Sequence, residues 1–554
     1  MKTDLNPIIV KLLNNRGIYD EEEINEFLSD KPKKTYDPSL LDQIEAGVDL
    51  ILSEIEKGSR ICVYGDYDAD GITSTSLMLS ILGYIMPKDR LSYYIPSRFG
   101  EGYGLNTEAV KYIAGSGAGM IITVDCGSVS KDEVAYAEEL GMRVAVTDHH
   151  NITDKMADCI LINPKKPGSL YPFSSLSGCG VAFKTAQVIQ KKTGLPKSVL
   201  TEVLDLVAIG TIGDIMPLVD ENRTMVKYGL KMINTGKRPG LRKLIEGAGL
   251  KIGTINAENV GFVIVPHLNA SGRIEDASQA VRLLTAEEGD PCIDVIVADL
   301  LEKNKERKRL QAEAYKSCTA GIDGQNPDDF LLIESRDAHE GIAGIACGKI
   351  KDTYYRPAVI LTPTGAGGEM LKGTGRSIEG VNLYELLKKH DTLFEKFGGH
   401  GGACGFTMKK ENYEPLRQGL LDDMAEEVSK NPELFVRKYP VDMELSIEDM
   451  TVDFARQLEL LAPFGNGNPK PMFIVRGILI NDVRFMGSEN QHVRFTARDA
   501  GGKTVQCVLF SRGAEYENLL CSEQKPVDII GHLDCQIWQG TKRLQFVAEK
   551  INKA

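Results

Sequence analysis

No apolar run in the 554 residues approaches the ~20 that a membrane-spanning helix requires, so no span is expected. The opening twenty residues, MKTDLNPIIVKLLNNRGIYD, lack the apolar core and cleavage site of a secretory signal. Eleven cysteines stand singly with no CxxC pair, which argues against a zinc ribbon and against a disulfide framework. Buried reduced thiols in a cytoplasmic protein are the expectation. A GxxxxGKS/T phosphate loop and a GxSxG nucleophile elbow are also missing, so the usual P-loop and serine-hydrolase chemistries are not indicated. There is no excess of basic charge: 65 Lys and Arg face 78 Asp and Glu, for a formal charge of -13. That balance argues against non-specific coating of nucleic acid, while leaving room for an enzyme with a locally positive cleft. Internal repeats and low-complexity tracts are absent too.

What is present is an ordinary globular composition, 42% hydrophobic and 26% charged, in a chain long enough for roughly three or four domains. Its most informative stretch is YGDYDADG, Tyr64 to Gly71. Asp66, Asp68 and Asp70 alternate there between a short buried strand, Arg60 to Tyr64, and a helix beginning at Gly71. Residues two apart in extended chain point the same way. Three close carboxylates repel one another unless a cation neutralises them, and hard oxygen donors suit magnesium or manganese.

The next strands end alike. Leu91 to Ile95 runs into PSRFGEGYGL, Met120 to Val124 into Asp125, and Arg143 to Thr147 into Asp148, His149 and His150. Helices over residues 42–57, 106–114 and 131–140 alternate with them, predicting a parallel sheet covered on both faces. Ligands of such sheets bind beyond the carboxyl ends of the strands, where all of these acidic and imidazole side chains fall. Asp214 follows in a Gly-rich bend after a mostly helical stretch, whereas Asp205 sits at helical spacing and reads as structural. Val265 to Arg273 reads as a turn-rich strand. Residues 294–318 read as one long helix with a basic run (Lys303, Lys305, Arg307, Lys308, Arg309), a solvated face or a path for phosphates. A second α/β unit starts at Phe330 and carries Gly373–Ser377 and a Gly-rich loop around His400, a weak phosphate-binding signal on its own. After LLAPFGNGNPKPMF the chain turns to short strands, most plausibly an OB-type β-barrel. Phe495, Phe510, Trp538 and Phe546 are candidates for base stacking and Arg494, Lys542 and Arg543 for phosphates, although each aromatic taken singly reads better as barrel filling. The predicted division is a helical N-terminal segment (1–44), a first α/β unit (45–290), a linking helix (291–325), a second α/β unit (326–430), a connector (431–465) and the barrel (466–554).

Asp148-His149-His150, with Asp66 to Gly71, Val124 to Gly127 and Gly210 to Asp214, resembles the DHH phosphoesterase superfamily. Gly373 to Ser377 and Gly398 to Gly405 look like its DHHA1 domain, and with Pro266 to Arg273, His339-Glu-Gly and the barrel the chain resembles the RecJ-type exonucleases. The resemblance implies a two-metal exonuclease that degrades single-stranded DNA from the 5′ end to 5′-mononucleotides in recombination and repair. It implies Asp66, Asp68, Asp70, Asp125, His149 and Asp214 around two Mn²⁺ or Mg²⁺ ions, with Asp68, Asp70, His149 and His150 taking part in catalysis. Arg98, Asn269, Arg273, His339, Arg376, Ser377 and His400 are implied to hold the substrate. An arginine is expected where His267 stands, putting one substrate contact in doubt. Single-strand binding protein and a RecQ-type helicase are partners the resemblance suggests; a cytoplasmic monomer is the simplest expectation. The alternative within the superfamily is a nanoRNase or cyclic-dinucleotide phosphodiesterase, which normally lacks the barrel. A silent scaffold related to RecJ should have lost metal ligands, and none is missing here.

Overall fold

The computed structural model describes residues 5–553 apart from 99, 154, 323, 325, 366, 367, 489, 522–525, 539 and 540. The first α/β unit is built on five parallel strands, β1 (Ile61–Tyr64), β2 (Leu91–Tyr94), β3 (Met120–Val124), β4 (Arg143–Thr147) and β5 (Ile160–Ile162), in the order β2-β1-β3-β4-β5. The sheet is sandwiched between helices because β1 and β3 are buried along their whole length. With this order the chain reverses its winding between β1 and β3, the position at which a doubly wound sheet opens a crevice. Asp66, Asp68 and Asp70 follow β1, and Asp125 follows β3. The acidic loop therefore flanks the crevice.

Helix Cys292–Thr319, some 42 Å long at ~1.5 Å per residue, spans both α/β units. Ile293, Ile296, Val297 and Leu300 at one end join the core of the first unit, while Ala314 and Cys318 at the other pack with Ala343, Ala346 and Ile360 of the second. The second unit is a mixed sheet ordered β6-β7-β8-β10-β9, from β6 (Leu331–Glu334), β7 (Ala358–Thr364), β8 (Met370–Arg376), β9 (Phe394–His400) and β10 (Ala403–Lys409).

The C-terminal part pairs β11 (Met443–Glu444) with β12 (Phe473–Met486), followed by β13 (His492–Arg498), β14 (Thr504–Leu509), β15 (Val527–Trp538) and β16 (Thr541–Lys553). Pairing of β12 with β15 closes the last five into a barrel filled by Phe473, Phe495 and Phe546. Ile9, Leu12, Leu13, Ile24 and Leu28 of the two N-terminal helices, Pro7–Asn15 and Glu21–Leu28, are buried in that same core, so the two ends of the chain share one hydrophobic cluster.

Two local expectations are corrected. Val265 to Arg273 is not a strand: it lies in helix Val265–Ile274, preceded by a turn of π-helix, Val260–Ile264. Its valines favour extended chain, but His267, Leu268, Ser271 and Gly272 bury together at helical spacing, and Gly272 packs so near the Tyr67 carbonyl that a Cβ would stand 2.8 Å from it. Nor is the segment around His400 a loop. Phe397, Gly398, Gly399 and His400 close β9 and pair with Phe406, Gly405, Cys404 and Ala403 of β10, leaving Gly401 and Gly402 as the connection. Glycine is required within β9 because a Cβ on Gly399 (φ +142°) would meet the Ala403 carbonyl at 2.4 Å.

Candidate metal centre and substrate cleft

Asp68 caps helix Ala69–Leu82, its Oδ1 accepting the amides of Asp70 (2.9 Å) and Gly71 (3.1 Å), which leaves Oδ2 for a ligand. Asp70, on the first turn, is wholly buried; the amides of Gly178 and Cys179, at the start of helix Gly178–Thr193, donate to its Oδ2 (2.6 Å) and Oδ1 (2.9 Å). Asp214 caps the end of helix Leu204–Gly213, whose packing returns it to the sheet edge. His149 Nε2 stands between these carboxylates, 3.1 Å from Asp125 Oδ1, 3.5 Å from Asp214 Oδ2 and 3.9 Å from Asp70 Oδ2.

The six side chains expected to ligate metal are thus brought together, and donor atoms within 4.8 Å of one another form three overlapping groups: Asp66, Asp68 and Asp125; Asp70, His149 and Asp214; and Asp125, Asp148, His149 and His150. Burial and then mutual repulsion push the carboxyls of Asp66, Asp70 and Asp125 well above the usual range. Asp214 rises to about 7 for the same reasons, and burial draws His149 down to about 3, keeping it neutral. Asp66 Oδ1, Asp125 Oδ1 and His149 Nε2 are buried with no hydrogen-bond partner among the described residues. Buried acceptors without donors, crowded anions and a neutral imidazole are what divalent cations stabilise. The donor set fits Mn²⁺ or Mg²⁺.

His150 lies at the rim of this set: its Nδ1 is 2.8 Å from Asp148 Oδ1 and 4.0 Å from Asp125 Oδ1, and its ring is half exposed beside Tyr103, whose hydroxyl lies 2.9 Å from the same nitrogen. Burial opposes protonation of His150, but the hydrogen bond and charge of Asp148 win and raise it to about 9.

Near the carboxylates lies a set of guanidinium groups. Arg98 stacks over Tyr67 at 5.1 Å, and Arg273 reaches from helix Val265–Ile274 to the Gly341 carbonyl of the second unit at 3.1 Å. Arg376, on β8, sits against Gly344 of helix Glu340–Tyr354. Burial, followed by repulsion from Arg98 and Arg307, brings Arg273 down to about 10; Arg376 repels it too, and Asp68 attracts it. Cleft arginines and metal carboxylates therefore feel one another. Asn269 lies one turn before Arg273, its Oδ1 buried without a partner. Ala403 pairs with both Arg376 and His400, setting these two on either side of it. His339 caps helix Glu340–Tyr354, accepting from the Gly341 amide at 3.2 Å, and the Ser377 hydroxyl donates to the Val381 carbonyl at 2.7 Å. Both are thus engaged in holding local backbone.

Family models match along most of the chain: the DHH family N-terminal domain over residues 60–211, the DHHA1 domain over 328–429 and the RecJ OB domain over 441–550. The single-stranded-DNA-specific exonuclease RecJ of Bacillus subtilis (strain 168) is 36% identical over 545 residues, 98% of this chain and 67% of that protein. Escherichia coli (strain K12) RecJ is 30% identical over 575 residues, covering 100% of this chain and 96% of its own. The chain belongs to the RecJ family. Of the solved structures, RecJ of Thermus thermophilus in complex with Mn²⁺ superposes with a TM-score of 0.82 at 26% identity, over 100% of this chain and 76% of that one. The same protein with Mg²⁺ gives 0.78 at 26% identity, covering 100% and 75%.

Seen as a RecJ-family barrel, the C-terminal strands leave few stacking candidates. Phe495 and Phe546 are fully buried and fill the core; Phe510 is exposed, edge-on to His492 at 5.6 Å. Arg494 lies on the outer face and bonds Gln506, and Arg543 is exposed; the side chains of Trp538 and Lys542 lie outside the described residues. His267 is neither exposed nor aimed at the cleft: Nδ1 bonds the Val263 carbonyl (2.7 Å) and Nε2 meets Asn304 (2.8 Å). Asp205 pairs with Arg238 at 2.6 Å, away from the metal centre. Two residues of the centre escape the sequence reading. Asp148 is visible as part of the triplet but not as the group that organises both histidines. Tyr103 is signalled only by its flanking glycines, Gly102 and Gly104, both at positive φ.

Proposed function

We propose that this chain is a metal-dependent exonuclease that degrades single-stranded DNA from the 5′ end to 5′-mononucleotides, acting in recombination and repair. The observation that carries this reading is the opposition of a six-donor metal centre to a cleft of arginines, in a chain that matches RecJ exonucleases over their length. Asp66, Asp68, Asp70, Asp125, His149 and Asp214 would hold two Mn²⁺ or Mg²⁺ ions. Bound there, the ions would supply an activated water and stabilise charge on the phosphoryl oxygens. Arg98, Arg273 and Arg376 grip phosphates through paired N–H groups, with Asn269, His339, Ser377 and His400 lining the same path. His150 would be the proton donor: with Nδ1 held by Asp148, its Nε2–H is left to protonate the departing 3′-oxygen. The domain limits are those read from the sequence, 45–290 for the catalytic unit, 326–430 for the second and 466–554 for the barrel. Single-strand binding protein and a RecQ-type helicase are the partners such an enzyme calls for in the cytoplasm; among the described residues no helix is long and apolar enough to cross a membrane.

The test uses purified protein with Mn²⁺ and single-stranded DNA labelled at either end, beside duplex DNA, short RNA and a cyclic dinucleotide, with Asp68→Ala as control. Early release of labelled mononucleotide from the 5′-labelled single strand alone supports the reading. Preference for two- to five-nucleotide RNA or the cyclic dinucleotide overturns it in favour of the other superfamily activities.

A further inference from the structure

The basic run on helix Cys292–Thr319 is mostly paired. Lys303 lies 2.8 Å from both Glu275 and Asp299, Lys305 pairs with Glu302, and Arg309 with Glu306 and Glu313. Arg307 differs. It is half buried, no carboxylate lies within 4 Å of it among the described residues, and its bonds go to two neutral amides, Nε to Asn304 Oδ1 (3.0 Å) and Nη1 to Gln311 Oε1 (3.3 Å). It is also close enough to Arg273 to repel it.

The polarity of the chain of bonds behind Arg307 is fixed. The Val263 carbonyl can only accept, so His267 carries its proton on Nδ1. Burial lowers the pKa of His267, leaving Nε2 an acceptor for the Asn304 amide. Asn304 is buried with its NH₂ turned toward His267, and its oxygen must then face Arg307. Val263 lies in the π-helical turn, whose extra residue sets where that carbonyl points. One buried relay thus runs from Val263 through His267 and Asn304 to the guanidinium. A buried amide bonded at both ends is locked in one orientation.

We propose that Arg307 is a further substrate-binding residue of the cleft, gripping a backbone phosphate of the single strand beside Arg273, and that His267 and Asn304 are positioning residues that aim it. The inference rests on the exonuclease reading above. Guanidiniums close enough to repel one another are relieved by an anion between them, and the polyanionic strand supplies it. His267 then makes no substrate contact of its own; it works through Asn304.

The experiment measures kcat and KM for 5′-phosphorylated (dT)20 with Mn²⁺ at several salt concentrations, together with Mn²⁺ half-saturation. For Arg307→Met the expectation is a KM about tenfold or more higher with kcat little changed. The slope of log KM against log salt should become shallower by roughly 0.7, the share of one single-strand phosphate contact. Mn²⁺ half-saturation should not move. Arg307→Lys keeps the charge and the slope but raises KM several-fold, since an ammonium cannot use the oriented fork. Asn304→Ala raises KM and keeps Mn²⁺ affinity. An unchanged KM and slope in Arg307→Met would overturn the proposal. If that variant does not fold, a wild-type KM in Arg307→Lys overturns it instead, and loss of Mn²⁺ affinity in Asn304→Ala overturns the positioning role. Failure of the unsubstituted chain to cleave (dT)20 would instead sink the exonuclease reading itself.

Discussion

Asp148 holds both histidines of the metal centre: its Oδ1 lies 2.8 Å from His150 Nδ1 and accepts the amides of His149 (2.7 Å) and His150 (3.1 Å), while Oδ2 accepts the amide of Ser128 (3.0 Å). Burial works against its ionisation, but the His150 hydrogen bond and the nearby imidazoles outweigh it and keep the carboxyl below the usual range. Oδ1 alone accepts or meets three groups of the two histidines, so Asp148 is expected to orient them rather than to ligate. Asp148→Asn removes the charge that keeps His150 protonated and leaves the donor set intact. The expected outcome is a kcat lower by roughly 10–100-fold, the usual effect of losing an outer partner. Mn²⁺ affinity by calorimetry should stay within a few-fold, and an equal loss of affinity would instead count Asp148 among the ligands.

The carboxyls of the centre tie stability to both pH and metal. Asp214 rises to about 7 in the folded protein from an ordinary 3.8, and Asp66, Asp70 and Asp125 are raised as well. Raised carboxyls bind more protons folded than unfolded, so metal-free stability falls as pH climbs from 3.8 through 7. His149, lowered to about 3, works oppositely but only below its unfolded 6.5. Above that pH His150, raised to about 9, adds to the fall because it too binds more protons folded than unfolded, and a divalent cation cancels the carboxylates' share, their mutual repulsion. Thermal unfolding at about pH 6, 7 and 8 should show the Tm falling more steeply in EDTA than in Mn²⁺, the gap widening with pH. A gap independent of pH would mean that the cluster is ionised without metal.

The metal centre was legible because each of its strands is a short run of β-branched or apolar residues that stops at an aspartate, and strand ends in a parallel sheet converge. Residues far apart in sequence could be grouped by that rule alone. It fails where packing outweighs local preference. Val265 to Arg273 has the valines of a strand, yet its small residues let a helix pack on the acidic loop, which only the tertiary neighbours reveal. The glycines around His400 read as a loop because their role is to let β9 approach β10. The relay through His267 is invisible in sequence for a plainer reason: its four residues lie on a π-helical turn and two helices, 37 residues apart between His267 and Asn304.

Lys184 and Glu221 form an ion pair at 2.6 Å with side chains 1% and 0% exposed. Lys184 also donates to the Tyr36 carbonyl at 2.9 Å, and Glu221 accepts the Tyr36 amide at 3.2 Å and the Tyr171 hydroxyl. The pair thereby ties Tyr36 to the helix that follows the Asp214 bend. Glu221→Gln leaves a buried ammonium without its counter-charge and should cost about 3–5 kcal/mol in urea unfolding. The double change Lys184→Met with Glu221→Leu should recover most of that, since a buried pair is weak in net terms although each half alone is costly to strand. A double variant as unstable as the single one would show that the hydrogen bonds to Tyr36 and Tyr171 carry the stability instead.

Gly178 offers the sharpest test of how the centre is held. Its amide donates to Asp70 while its Cα abuts Asp125, so an added Cβ would stand 2.4 Å from Asp125 Oδ1 and 2.5 Å from Asp125 Cβ. Neither neighbour has room to yield, since Asp125 is buried beside His149 and Asp70 is pinned by the next amide as well. Gly178→Ala should therefore move a ligand rather than relax around it, costing about 1–3 kcal/mol of stability. It should also weaken Mn²⁺ binding by roughly 10–100-fold. Gly348 is the control: it lies inside helix Glu340–Tyr354 with nothing within 4 Å of an added Cβ. Gly348→Ala should gain ~0.5–1 kcal/mol from helix propensity and leave Mn²⁺ affinity alone. If Gly178→Ala lost only stability, the aspartates would tolerate displacement, and the cations rather than the protein would be setting the geometry of the centre.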